Sequence, residues 1–153
     1  MPKVEVSRVI KAPRDKVWEV ATDPESMLEW WPGTKSVEVL NREGNSMTIR
    51  GTGTEAGREV TMTETWTLHP QETIEIEILE GPARGRTIQT YEEAPEGTKV
   101  TWSSDIRFKG VMGKILGGLL VGSKLQDSSA HTLEELAKYI ESTKTPKKNK
   151  KHA

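Results

Sequence analysis

Cysteine is absent from this 153-residue chain, which excludes disulfides, thiolate catalysis and cysteine-ligated metals. Its three histidines, His69, His131 and His152, lack the spacing by which zinc sites gather ligands. No glycine motif of the phosphate-binding kind precedes a helix, because Gly51-Thr52-Gly53 sits among strand-like residues. No cofactor is therefore expected. Long apolar runs are missing too. The longest, Val111–Val121, is interrupted by Lys114 and is too short to span a bilayer. The opening residues, MPKVEVSRVI, hold no apolar signal core, so a cytoplasmic protein is expected.

Charge of both signs is present in nearly equal amounts, giving a net −1, but it is unevenly placed. Lys144, Lys147, Lys148, Lys150 and Lys151 crowd the last ten residues with no acid among them, which leaves the rest of the chain acidic. The expected organisation is one domain over residues 1–143 and a disordered basic tail over 144–153. Such a tail solubilises the chain, or meets anionic lipid headgroups or RNA phosphates weakly. No aromatic residue interleaves with its lysines, so base stacking has no support.

Two periodicities organise the remainder. From Ser36 onward, alternation of period two predicts antiparallel strands near 36–42, 46–53, 58–68, 73–80, 86–93 and 98–108, joined by short turn-like links. With residues 3–10 they make seven. TIEIEIL is the clearest: Ile74, Ile76 and Ile78 face one way, Glu75 and Glu77 the other. Between the first and second strands, Ala12-Pro13 and Thr22-Asp23-Pro24 each open a short helix, the first through Ala21 and the second to Trp30. Asp23 is the expected cap of the second. Then Gly110–Thr143 carries Ile115, Leu119, Gly122, Gln126, Ala130, Leu133, Ala137 and Ile140 at spacings of three and four, one face of a long helix. Five glycines in its first half make that half a weak helix. The fold class is α+β: a curved seven-stranded antiparallel sheet wrapped around a long C-terminal helix, with two short helices after the first strand.

Such a shape leaves a cavity between sheet and helix unless large side chains fill it. Strand parity nominates its lining. Glu64 shares a face with Met62 and Trp66, which puts a carboxylate among apolar side chains, there to orient a ligand or act as a base. The plainer alternatives are pairing with an internal arginine, serine or glutamine, or a strand register that puts it outside. Trp102 and Ser104 share a face of the last strand, and Thr90 is assigned inward on the strand before it. Met47, Ile49 and Ile76 complete the sheet side, with the methionines as adaptable liners. Leu119, Ser123, Gln126 and Ala130 are the helix candidates. Trp30 and Trp31 end the second short helix, where they line the cavity mouth, touch a membrane or pack on the sheet edge. The links at 80–86 and 110–122 are the candidate lid. Catalysis has one candidate, Glu64, and no evident acid–base partner.

The opening stretch VIKAPRDKVWEVATDPESMLEWWPGTKSVEVL, residues 9–40, carries Ala12-Pro13, Val17-Trp18, Thr22-Asp23-Pro24, Trp30, Pro32 and Val37-Glu38-Val39-Leu40. With the order of elements, it resembles the helix-grip superfamily of START-type lipid-transfer domains and the birch-pollen-allergen fold. The polyketide cyclase/dehydrase and coenzyme Q-binding branch is the nearest in flavour, and the likeness covers residues 3–141. The resemblance implies a helix-grip fold and a hydrophobic small-molecule ligand: a lipid, isoprenoid, quinone or polycyclic compound. A second implication is a cyclase or dehydratase using Glu64. A third reading, from the tail, is an interaction module for a ribosome, RNA or membrane.

Overall fold

The computed structural model describes the backbone of residues 3–55, 57–108 and 118–142, and the side chains of all of these except 55 and 118–124. Seven strands form one antiparallel sheet. They are β1 (Lys3–Ile10), β2 (Thr34–Glu43), β3 (Ser46–Glu55), β4 (Arg58–His69), β5 (Thr73–Glu80), β6 (Ala83–Ala94) and β7 (Gly97–Phe108). The spatial order is β1-β7-β6-β5-β4-β3-β2, so the two strands that flank the helical insert lie at opposite edges of the curved sheet. Between them run α1 (Arg14–Ala21), a 3-10 turn (Pro24–Ser26) and α2 (Met27–Trp30), and the chain closes with α3 (Gly118–Ser142). This is the helix-grip arrangement that the element order implies. Among the described residues no helix is long and apolar enough to cross a membrane. The expected helical stretch from 110 to 117 and the lysines of 144–153 lie outside the described residues.

Cross-strand register turns the period-two patterns into inward rows. Met47, Trp66, Ile76, Thr87, Ser104 and Val4 stand opposite one another in turn from β3 to β1. A second row runs Ile49, Glu64, Ile78, Gly85, Ile106. A third runs Leu68, Ile74, Gln89, Trp102, Val6. A bulge at Thr63/Glu64 skips Leu79 in the pairing with β5, which leaves that leucine exposed while Ile78 stays inward.

The short helices differ from expectation in detail. Pro13 stands at the N-cap of α1 with an extended ψ of 152°, so the helix begins one residue later, at Arg14. Asp23 makes no side-chain cap bond. Ser26 does the joining instead. Its hydroxyl lies 3.0 Å from the Val20 carbonyl and 2.7 Å from that of Asp23, and it accepts the Trp30 indole N–H at 3.0 Å. One buried hydroxyl thus fixes the angle between α1 and α2 and pins Trp30 inward.

On α3 the C-terminal half behaves as its pattern predicts. Leu133, Leu136, Ala137 and Ile140 are fully buried, packed with Val4, Val6 and Ile10 of β1. Glu141 Oε2 accepts the Lys11 backbone N–H at 2.8 Å and ties the helix end to the end of β1. Further back the predicted stripe is corrected: Gln126 and Ala130 are exposed. From Leu133 the buried face steps back by four residues to Ser129 and Leu125, whereas a step of three to Ala130 rotates about 60° the other way. Alanine's apolarity drew the sequence reading onto the wrong face.

Candidate functional site

A cavity of ≈ 200 Å³ lies between the concave face and α3. Its sheet side is formed by the inward rows: Ile49, Met62, Glu64, Trp66, Ile76 and Ile78 from β3 to β5, then Thr87, Gln89, Trp102, Ser104, Ile106 and Phe108 from β6 and β7. Leu125, Ser128, Ser129 and Thr132 of α3 face them. Met27 and Trp31 of the helical insert, with Pro32 and Gly33, form a third side.

Seven of the residues nominated by sequence meet in this lining: Ile49, Met62, Glu64, Trp66, Ile76, Trp102 and Ser104. Met47 is buried in the hydrophobic core beside them without lining the cavity. Thr90 is corrected to the outer face. Its pairs are Thr73 and Thr101, while Thr87, Gln89 and Tyr91 point inward. β6 carries polar groups on both faces and an apolar side chain in each, Ile88 and Tyr91, so alternation alone does not choose between them. Gln126 and Ala130 stay outside, for the rotational reason given above. The side chains of Leu119 and Ser123 lie outside the described residues. The 80–86 link contracts to Gly81-Pro82, because β6 begins at Ala83. That correction removes half of the expected lid, and residues 110–117 of the other half lie outside the described residues. Missed altogether were Thr87, Gln89, Leu125, Ser128, Ser129 and Thr132. The register of β6 against Ser104 would have found the first two.

Aromatic side chains shape one end. Trp31 stacks on Trp102, with ring centroids 5.8 Å apart and planes 15° from parallel. Trp30 leans on both, at 5.5 Å from Trp31 and 6.5 Å from Trp102. The adjacent tryptophans therefore divide the alternatives left open by sequence: Trp30 is buried in the core, and Trp31 faces the cavity. Behind Trp102, Tyr91 donates to Gln89 Oε1 at 2.6 Å and meets Trp18 edge-on. Burial pushes the Tyr91 hydroxyl well above its ordinary range, and the nearby Trp102 indole offsets part of the rise. The Trp102 N–H itself has no partner within hydrogen-bonding geometry among the described residues.

Two polar pairs on the sheet side stand apart from each other. Thr87 Oγ1 and Ser104 Oγ bond each other at 3.0 Å across the β6–β7 ladder. Glu64 Oε1, two strands away, accepts the Trp66 indole N–H at 3.0 Å. Its partner is thus an indole rather than the arginine, serine or glutamine weighed from sequence. Burial raises the Glu64 carboxyl above its ordinary value, and the Trp66 hydrogen bond works the other way. The elements on either side of it add no charge, since Ile49 and Ile78 are its cross-strand neighbours. His131 is exposed on α3, 4.0 Å from Glu134, and takes no part in this lining.

Chemically, the site offers apolar burial, flat aromatic walls, a neutral hydroxyl pair and one carboxyl of shifted acidity. The family described as polyketide cyclase / dehydrase and lipid transport matches residues 1–141. A putative polyketide cyclase from Streptomyces cyaneus is 33% identical over 113 residues, 65% of this chain and 69% of that one. A START superfamily protein from Mycobacterium smegmatis superposes with a TM-score of 0.81 at 16% identity, covering 92% of this chain and 97% of the other. An aromatase/cyclase from a Streptomyces species superposes at 0.75 with 23% identity over 91% and 93%.

Proposed function

The chain belongs to the polyketide cyclase/dehydrase and lipid transport family, and from that premise we propose that it binds a hydrophobic small molecule in the cavity between the sheet and α3. The observation that carries this reading is the lining itself. It joins tryptophan, isoleucine, methionine, valine and phenylalanine side chains to ten hydroxyl, amide or carboxyl side chains among 27 residues. Burial of apolar ligand surface there is worth about 25 cal/mol per Å², and Glu64, Thr87, Gln89 and Ser104 supply direction. A cavity of ≈ 200 Å³ is smaller than the usual range of about 300–1,000 Å³ for drug-sized ligands. A compact ring system suits it better than a two-chain lipid. Residues 1–143 form the binding domain in this reading, and residues 144–153 a basic tail whose contact with RNA or membranes nothing here supports.

Titration with an apolar fluorescent probe tests it, backed by native mass spectrometry of the freshly purified chain. Stoichiometric, saturable binding is expected, and Trp66→Ala should weaken it about tenfold or more. A probe that binds no better than to an unrelated protein of similar size would sink the proposal.

A cyclase or dehydratase is the second reading, favoured by two facts. The 33% identical relative bears the name putative polyketide cyclase, and Glu64 is a carboxyl whose pKa burial raises, in a cavity that also holds the Thr87–Ser104 hydroxyl pair two strands away. A carboxyl whose pKa burial raises is a stronger base when ionised, which suits it to acid–base work. In this reading Glu64→Gln retains ligand binding and loses turnover of a cyclisable polyketide analogue by about 100-fold or more. Unchanged turnover would remove Glu64 from the chemistry.

A further inference from the structure

The charge of the cavity is as telling as its apolarity. Glu64 is the one ionisable side chain among the described residues that line it, and no lysine, arginine or histidine stands with it there. Its cross-strand neighbours are Ile49 and Ile78, and the facing helix presents Leu125, Ser128, Ser129 and Thr132, none of them charged. Among the described residues a carboxyl so placed has no countercharge, and burial disfavours its ionised form. Three indole rings line the same space, those of Trp31, Trp66 and Trp102, with the first and last stacked at 5.8 Å. Indole faces carry the negative lobes of a quadrupole. Carboxyl and rings therefore bias the site in the same direction. An anionic ligand would lose its hydration and meet a carboxylate. A neutral ligand would gain burial alone.

We propose that the cavity selects a lipophilic ammonium ligand: a compact apolar body bearing one amine or quaternary ammonium centre, held between Glu64 and the indole faces of Trp31, Trp66 and Trp102. The proposal rests on the binding function proposed above and adds the charge class of the ligand. The Trp66 N–H fixes Glu64 Oε1 at 3.0 Å and leaves the other carboxylate oxygen for the ligand. The low-dielectric setting that makes the lone carboxylate unfavourable makes its attraction to an arriving cation strong. An ammonium centre thus supplies the countercharge that the described residues of the lining do not. A quaternary centre offers no N–H, so its recognition would rest on the carboxylate and ring faces; an amine would add a hydrogen bond to Glu64.

Competition against the bound apolar probe tests this with three ligands of similar size. They are benzyltrimethylammonium, its neutral isostere neopentylbenzene, and the anion phenylmethanesulfonate. The cation is expected to displace the probe with an affinity about tenfold or more above that of the isostere, and the anion to be weakest. Glu64→Gln is expected to bring the cation and the isostere to within about threefold, each affinity being read against the variant's own affinity for the probe. Equal affinities for cation and isostere in the unaltered chain overturn the proposal, as does a cation preference that survives Glu64→Gln. Displacement by the isostere without displacement by the cation overturns it too and leaves hydrophobic binding standing, and so does a bound probe that none of the three displaces. Failure of the probe itself to bind overturns both readings together.

Discussion

Gly97→Ala is expected to cost roughly 3 kcal/mol of folding stability or more, seen as a melting temperature lowered by about 10 °C. Gly97 opens β7 with φ +151°, a conformation that L side chains rarely adopt. A Cβ there would sit 2.1 Å from the Ile10 carbonyl oxygen and 2.9 Å from the Ala12 nitrogen. Both obstacles are backbone, so neither can swing aside. The joint is local but carries much. Thr98 Oγ1 bonds the Ala12 carbonyl at 2.8 Å, and the Ala12 N–H returns to the Ile10 carbonyl at 2.8 Å. That corner turns the chain out of β1 into α1, and through Ser26 it sets α2 and Trp31. The folded fraction of the variant should therefore also bind the apolar probe more weakly. Gly44→Ala is the control. Gly44 has φ +58° in the β2–β3 turn, with nothing within 4 Å of an added Cβ, so only backbone strain of about 1 kcal/mol is expected. Equal melting temperatures for the two variants would show that the corner yields and that the close approach has no energetic weight.

The sheet was legible because its signal is short-range. Alternation in β4, β5 and β7 is set by one wet and one dry face, and seven strands follow from it with boundaries shifted by a few residues. Glu64 could be placed inward for the same reason, through its parity with Met62 and Trp66. Its partner could not be read. The bond comes from an indole two residues along on the same face of the strand, a side-chain orientation that parity alone does not give. The lining of α3 failed on rotation. Serine and threonine at 128, 129 and 132 face the cavity while Ala130 faces out, which inverts the rule that apolar residues mark the inner face. That inversion marks the site itself, since a helix flanking a ligand cavity need not be apolar where it meets the ligand. Thr90 failed similarly, on a strand whose two faces carry the same residue types. The stack of Trp31 on Trp102 joins residues 71 positions apart and depends on how the helical insert folds over the sheet. No local pattern encodes it.

Glu64→Gln is expected to make the chain more stable at neutral and higher pH and to leave it nearly unchanged near pH 4. The exchange keeps an Oε1 acceptor for the Trp66 indole, now 3.0 Å from Glu64 Oε1, so packing and hydrogen bond are both preserved. What changes is the proton. Burial raises the folded-state pKa of Glu64 above the ordinary 4.5, with the Trp66 bond opposing. The folded chain therefore holds this proton more tightly than the unfolded chain does. Its stabilising contribution is fully present below the unfolded value of 4.5 and is lost as pH rises through the raised folded value. Urea denaturation of both proteins across pH 4–9 reads this directly. The stability difference should open above about pH 4.5, rise at up to about 1.4 kcal/mol per pH unit and then level off, and the height of the plateau measures the shift. Parallel curves at all pH values would mean that the carboxyl is solvated like any surface glutamate. Such a result would also weaken the ammonium proposal, because a well-hydrated carboxylate needs no countercharge. A difference of opposite sign would require a buried cation beside Glu64. An ammonium ligand added to the unaltered chain should reproduce part of the variant's gain at pH 7, since it relieves the same lone charge by pairing it.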